Sequence, residues 1–354
     1  MSIMFENMAK SLTGWLSGQG EESMVVLSSR VRLARNIAGC IYPTAADSET
    51  QDKIISYFNS VISRSDKLGG GQFIKTSELS RLDRSFLIER HLMSPNFIHD
   101  GQCQALFISK DEKVSIMINE EDHLRIQALA PGLNTLLAGK VANEFDKEIG
   151  NYLEFDYDPD FGFLTACPTN VGTGMRVSVL IHLPGLVITK DIDRVITKIS
   201  KMGVVVRGFY GEGTEVIGNL FQVSNQKTLG VSEKETTELL NNVTQIVIDD
   251  EAAARERLLK EASDQISDKI WRAYGILKYA RVLTSEEIMN LLSAIRLGVA
   301  MKLIDFVSIP AINEILLLSQ PAHLQKYYGE EMPADKRDAV RAEMVREKLE
   351  QFAK

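Results

Sequence analysis

Ser28-Ser29-Arg30-Val31-Arg32-Leu33 is the stretch from which the fold is read. Successive side chains of a strand point to opposite faces, so Ser28, Arg30 and Arg32 share one face and Val31 and Leu33 the other. The apolar face belongs on a core. The other face carries two like charges that need solvent or an anion between them. A charged sheet edge would account for them. So would phosphate, whose oxygens guanidinium forks bind two at a time.

Working outward, the predicted strand covers residues 22–33, and residues 1–19 read as an amphipathic helix with Met4, Phe5, Met8, Leu12 and Trp15 at helical spacing. Helices are expected over 52–63 and 77–93, then a hairpin from 104–109 and 113–119 turning at Lys110-Asp111-Glu112. A long helix over 131–152 opens on Pro131. Strands over 163–166, 176–182, 204–207 and 215–223 are joined by a helix at 192–201 and followed by one at 233–248. Beyond residue 249 every strong pattern is helical, over 251–281, 285–303, 312–318 and 335–352. The predicted fold is α+β: a mainly antiparallel sheet flanked by helices over residues 1–250, then an all-helical C-terminal domain over 251–354.

The 354 residues carry 48 acidic and 40 basic side chains, a net charge of -8, which gives no reason to expect direct nucleic-acid binding. That balance makes a local cluster of arginines more informative. Cys40, Cys103 and Cys167 are far apart, odd in number and lack metal-ligand spacing, as expected in a reducing cytoplasm. Residues 1–19 lack a basic-then-apolar leader, and no run reaches the roughly 18 apolar residues of a membrane span.

Three further runs carry chemistry. Asn119-Glu120-Glu121-Asp122-His123-Leu124-Arg125 puts three carboxylates after a strand, able to orient a cation or act as general base, or to form only a polar loop with a Glu121–Arg125 ion pair. Cys167-Pro168-Thr169-Asn170-Val171-Gly172-Thr173-Gly174-Met175-Arg176 is a close-approaching glycine loop that delivers Arg176 at the start of a strand, or an ordinary turn with a buried cysteine. Arg207-Gly208-Phe209-Tyr210-Gly211-Glu212-Gly213-Thr214-Glu215 is a glycine-hinged loop suited to closing over a substrate, or a hairpin loop. Arg30, Arg32, Arg125, Arg176 and Arg207 thus all fall at strand ends or faces, with neither a Walker-type glycine–lysine loop nor a protein-kinase signature beside them.

These four runs, in this order, resemble the phosphagen (guanidino) kinases over residues 25–240. The resemblance implies ATP carrying Mg2+, with Arg30, Arg32, Arg125, Arg176 and Arg207 clamping its phosphates. It implies a nucleotide lining from Ser28, Ser29, Arg30, Val31 and Arg32, from Arg176, Val177, Ser178, Val179 and Leu180, and from Arg207, Gly208, Phe209, Tyr210, Gly211 and Glu212, with His91 as a further neighbour. Glu121 is implied as the principal catalytic carboxylate and Glu212 as the second, with Cys167 tuning the guanidinium side. Metabolite-specific members carry a helical domain before the first arginine strand, where 27 residues precede Ser28 here, and they have a histidine at the place of Leu180.

A kinase half joined to a helical C-terminal domain is similar to the bacterial protein-arginine kinases. Arg337-Asp338-Ala339-Val340-Arg341-Ala342 matches their phosphoarginine-binding motif, implying sites at Arg337, Asp338, Arg341 and Ala342. By spacing alone Arg337 and Arg341 share a helix face, which is also what a charged surface looks like. The resemblance further implies a homodimer, protein substrates including a transcriptional repressor, a zinc-binding activator, and a Clp-type protease that takes phosphoarginine as a mark in a stress response. A kinase of free arginine and a non-catalytic phosphoarginine reader are the competing expectations.

Overall fold

A computed structural model describes residues 2–97, 103–208 and 216–352. In chain order the elements are α1 (Ser2–Ala9), β1 (Val26–Arg35), α2 (Ser48–Ile62), β2 (Gln72–Lys75), α3 (Arg81–Glu89), β3 (Ala105–Ile108), β4 (Val114–Ile118), β5 (Leu124–Pro131) and α4 (Thr135–Gly150). There follow β6 (Tyr157–Asp158), β7 (Gly162–Phe163), β8 (Met175–His182), α5 (Pro184–Ile188), α6 (Ile192–Ser200), β9 (Val204–Gly208) and β10 (Leu220–Asn225). The rest is helical: α7 (Glu233–Glu261), α8 (Ser263–Tyr279), α9 (Ser285–Ala300), α10 (Ile309–Leu318), α11 (Pro321–Tyr328) and α12 (Ala334–Phe352).

Eight strands form one antiparallel sheet in the order β2-β3-β4-β5-β1-β8-β10-β9. Alternation divides it as the β1 pattern requires. Val31, Leu33, Ile126, Ala128, Val177, Val179 and Val223 lie on one face in a fully buried core shared with Ile54 and Phe58 of α2, Ala138 and Ala142 of α4 and Val243 and Val247 of α7. At about 25 cal/mol per Å² of apolar surface removed from water, each such Val or Leu contributes about 1.5–3 kcal/mol. The opposite face is split. Leu129 and Leu180 pack into the core of the helical C-terminal region, and the arginines occupy the rest.

The helical region is bound to the sheet by buried polar contacts as well. Arg296 of α9 donates to the Ser23 and Met24 carbonyls and to Asn313, which in turn donates to the Leu16 carbonyl. His182, at the end of β8, meets the Ser293 hydroxyl of α9 at 2.8 Å.

Several expectations need correction. β5 is additional to the expected strands: Pro131, which suits a helix start, is the last strand residue, and α4 begins only at Thr135, capped by Asn134. β2 is likewise additional. The first helix stops at Ala9. The strand expected over 163–166 is the two-residue β7, and the one expected over 215–223 runs Leu220–Asn225. Helix α7 runs unbroken past residue 250, with Glu251, Ala254, Arg255 and Leu258 all buried, and breaks at Ala262. α11 was not expected, its N-terminus set by Pro321.

Candidate active site

The polar face of the sheet assembles the arginines by register. Directly paired residues of an antiparallel sheet point to the same side. Arg32 of β1 pairs with Gln127 of β5 and Arg176 of β8, and Arg30 pairs with Leu129 and Ser178. Arg125 sits two positions from Gln127 on β5, and Arg207 of β9 pairs with Gln222 of β10. Arg30 is held by Ser178 at 3.3 Å and by the Gln222 carbonyl oxygen at 2.8 Å.

Like charges at this density are costly. Burial, with Arg125 next, pushes the Arg30 guanidinium down to about 10. Burial and then Arg30, Arg125 and Arg176 push Arg32 down as well, and Glu120 opposes them. Arg30 and Arg32 are thus disfavoured by burial and by their neighbours' charge in a way that a polyanion would relieve.

The turn between β4 and β5 gives each residue of the acidic run a different task. Asn119, at φ 61°, donates to the Gln51 and Cys103 carbonyls and so pins the turn. Glu120 is buried and accepts from Arg125 at 2.7 Å, so the ion pair expected of Glu121 is made by its neighbour. Asp122 is buried and accepts from the Ala166 amide and from Asn36, both at 2.7 Å, tying the turn to the loop that precedes Cys167. His123 accepts from the Ile37 amide and meets the Ile41 carbonyl. Glu121 alone is exposed to solvent.

Glu121 lies close enough to Cys167 for the thiol to favour its ionised carboxylate. Partial burial, then Asp122 and Glu120, raise its carboxyl above the ordinary range, while Arg125 and Cys167 oppose that. The Cys167 sulfur also meets the Thr169 hydroxyl at 3.0 Å. The loop is fixed at its far end: Gly172 has φ 112°, and a Cβ there would lie 2.3 Å from the Thr228 carbonyl oxygen. Arg35, wholly buried, chelates Asp146 at 2.9 and 3.0 Å, donates to the Thr173 carbonyl and stacks 3.5 Å from the Phe163 ring centre.

The structure thus brings together Ser28, Arg30, Arg32, Arg125, Arg176, Ser178, Leu180 and Arg207 on one sheet face, with Glu121 and Cys167 at its edge. Ser29, Val31, Val177 and Val179 belong to the opposite face: Val31, Val177 and Val179 lie in the core, and Ser29 donates to the Gly132 carbonyl. Side-chain contact with a nucleotide is excluded for these four by alternation. Gly208 ends β9, whereas Phe209, Tyr210, Gly211 and Glu212 lie outside the described residues. Burial, and after it the charge of Arg30, push the His91 imidazole down to about 3. Gln127, Gln222 and Arg35 are not singled out by the sequence, which also leaves the ion-pairing role of Glu120 open; the alternation Arg125, Gln127 in a run of apolar neighbours is the available signal for the first.

In the C-terminal region, Arg341 is fully buried and donates to the Ser319 and Leu283 carbonyls and to Asp338. Ala342 lies in the helical core. Arg337 and Asp338 are half-buried; Arg337 donates to the Met332 carbonyl, and its buried Nε has no hydrogen-bond partner among the described residues. Arg337 and Asp338 can meet a ligand, whereas Arg341 is a buttress for Asp338 and Ala342 is packing.

Residues 53–254 match the ATP:guanido phosphotransferase C-terminal catalytic domain, and residues 263–354 match the protein-arginine kinase McsB C-terminal domain. The chain is 45% identical to the protein-arginine kinase of Geobacillus sp. (strain WCH70) over 341 residues, 96% of this chain and 94% of the relative. It is 42% identical to that of Bacillus subtilis (strain 168) over 343 residues, again 96% and 94%. Among solved structures, lombricine kinase aligns with a TM-score of 0.57 and 26% identity over 69% of this chain and 70% of its own. A duplicated taurocyamine kinase from Schistosoma mansoni gives 0.60 and 23% over 74% and 38%, a likeness of fold.

Proposed function

From the premise that this chain belongs to the ATP:guanido phosphotransferases, in their protein-arginine kinase branch, we propose that it transfers the γ-phosphoryl group of ATP to a guanidinium nitrogen of arginine side chains in proteins. The observation that carries the chemistry is the arginine face set by register, with the exposed carboxylate of Glu121 at its edge.

A guanidinium has a pKa above about 12 and is a poor nucleophile until it loses a proton. Glu121 is exposed, ionisable and raised in basicity, so it can align one edge of the guanidinium plane and accept that proton as the N–P bond forms. Cys167 favours the ionised Glu121 carboxylate and adds a sulfur to the same edge. Arg30, Arg32, Arg125 and Arg176 oppose the charge that spreads over the transferring group's oxygens. Mg2+ would enter on the nucleotide, needing no carboxylate of the face to hold it, and would supply further charge neutralisation. The face suits that division, since its buried Glu120 is already committed to Arg125. Glu212 is the second carboxylate in this reading.

The reading extends to the C-terminal region, where Arg337 with its unpartnered Nε and Asp338 bind phosphoarginine. It includes a homodimer formed through the C-terminal region, a role supported by the exposed apolar side chains Trp271, Ile276 and Tyr279 of α8. It also extends to a cytoplasmic stress-response role with a zinc-binding activator, a repressor substrate and a Clp-type protease as partners.

The test is incubation with Mg-ATP and an unfolded arginine-containing protein, in parallel with free arginine, with products mapped by mass spectrometry under neutral-to-basic handling. Phosphoarginine in the protein alone is expected. Transfer only to the free amino acid would replace this reading by a metabolite kinase.

A further inference from the structure

Three consecutive residues at the end of α3 reach three different parts of the molecule. Glu89 accepts from the Ala322 amide at 2.8 Å and the His323 amide at 2.7 Å, capping the N-terminus of α11. Arg90, fully buried, donates to the Met8 carbonyl in the last turn of α1 and to the Ser11 carbonyl beyond it, and chelates Glu112 at 2.6 and 2.9 Å. His91 lies 4.6 Å from the Trp15 ring in a stacked pair, and its carbonyl accepts from Gln127 at 2.6 Å.

The backbone makes this arrangement unusual. Leu92 donates to the Leu87 carbonyl and His91 to that of Ile88, the bonding of a Schellman helix end. His91 occupies the left-handed position of that motif at φ 59°, a place ordinarily taken by glycine. A side chain there costs about 1–2 kcal/mol and persists only where the surroundings over-determine it. Those surroundings are the contacts of Glu89, Arg90 and Gln127. What histidine gives in place of glycine is a ring against Trp15 and beside Arg30.

We propose that Glu89 is a positioning residue for the nucleotide: by fastening the end of α3 to α11, it holds His91 at the arginine face. The C-terminal helical region thereby completes the nucleotide site of its own chain. The proposal rests on reading His91 as a nucleotide neighbour.

The experiment is a double-mutant cycle on ATP affinity, measured by titration calorimetry at pH 8 on the full chain. The proteins are the parent, Glu89→Gln, His91→Ala and the double variant, each checked for folding by circular dichroism. Gln retains one acceptor oxygen and loses the other. Glu89→Gln is expected to weaken ATP about tenfold, His91→Ala by a similar factor, and the double variant by no more than about twice the larger single effect. In Glu89→Gln the loss should fall on KM for ATP more than on kcat, a split that a general loss of folded protein would not produce. Parental affinity in Glu89→Gln, or fully additive effects, would overturn the proposal. Unchanged affinity in His91→Ala would instead remove His91 from the nucleotide site, which separates the two failures. Should Glu89→Gln not fold, Ala322→Pro deletes one of the two amide donors in the first turn, where proline is tolerated, and carries the same expectation.

Discussion

Replacing Glu120 by glutamine isolates the electrostatics of the arginine face. Glu120 is the buried carboxylate that offsets Arg32 and pairs with Arg125 at 2.7 Å, its side chain 6% exposed and that of Arg125 26%. With charge centres about 4 Å apart and an effective dielectric near 20, the attraction is about 4 kcal/mol. Arg125 is partly solvated and glutamine keeps a hydrogen-bond acceptor, so the net loss of stability is about 2 kcal/mol. That loss belongs to the nucleotide-free protein, where Arg32 and Arg125 lose the carboxylate that offsets them. A bound triphosphate restores the missing charge. Glu120→Gln should therefore melt a few degrees below the parent without nucleotide and show a larger stabilisation on adding Mg-ATP. Differential scanning fluorimetry over a nucleotide series reads both quantities. A variant as stable as the parent without ATP, or one that ATP protects less, would refute the account of the face as a polyanion site.

Three other perturbations test separate parts. Gly172→Ala places a Cβ against the Thr228 carbonyl in a backbone that disfavours side chains, so the Cys167 loop must shift; turnover should fall about a hundredfold with ATP affinity nearly kept, read by steady-state kinetics. Arg35→Met leaves Asp146 without its partner in the interior and should cost about 3–5 kcal/mol in urea unfolding. Glu89 is raised from 4.5 to about 7 in the folded protein, mainly by burial, against the pull of the α11 amides, Arg341 and Arg337. The folded state therefore holds that proton more tightly than the unfolded chain. Its contribution is full below pH 4.5 and is lost as pH rises through about 7. Urea midpoints between pH 5 and 8 should decline less steeply in Glu89→Gln, and equal slopes would sink this assignment.

How much of this was legible follows from what each residue's signal depends on. The alternation Ser28, Arg30, Arg32 against Val31, Leu33 depends only on strand geometry, and it placed both the core and the anion face. The α+β class and the helical tail rest on periods of the same kind. β5 carries an equally regular alternation but was lost to the helix-start reading of Pro131, a local signal outweighed by pairing with β1 and β4 on both sides. Spacing put Arg337 and Arg341 on one helix face, but it could not tell that the Arg341 end of that face is packed against Ser319 and Leu283. Likewise, the run of carboxylates showed acidity without showing that Glu120 would be consumed by Arg125 and Asp122 by the Ala166 amide. Those assignments depend on contacts between residues remote in sequence, which no local pattern carries.

The most direct test of the central claim is a single-turnover measurement on Glu121→Gln with Mg-ATP and an unfolded arginine-containing protein, alongside ATP affinity by titration calorimetry. The account predicts ATP bound nearly as tightly as by the parent and transfer slowed by about 10²–10⁴. Phosphoarginine formed at the parental rate would contradict it and move the proton acceptor elsewhere.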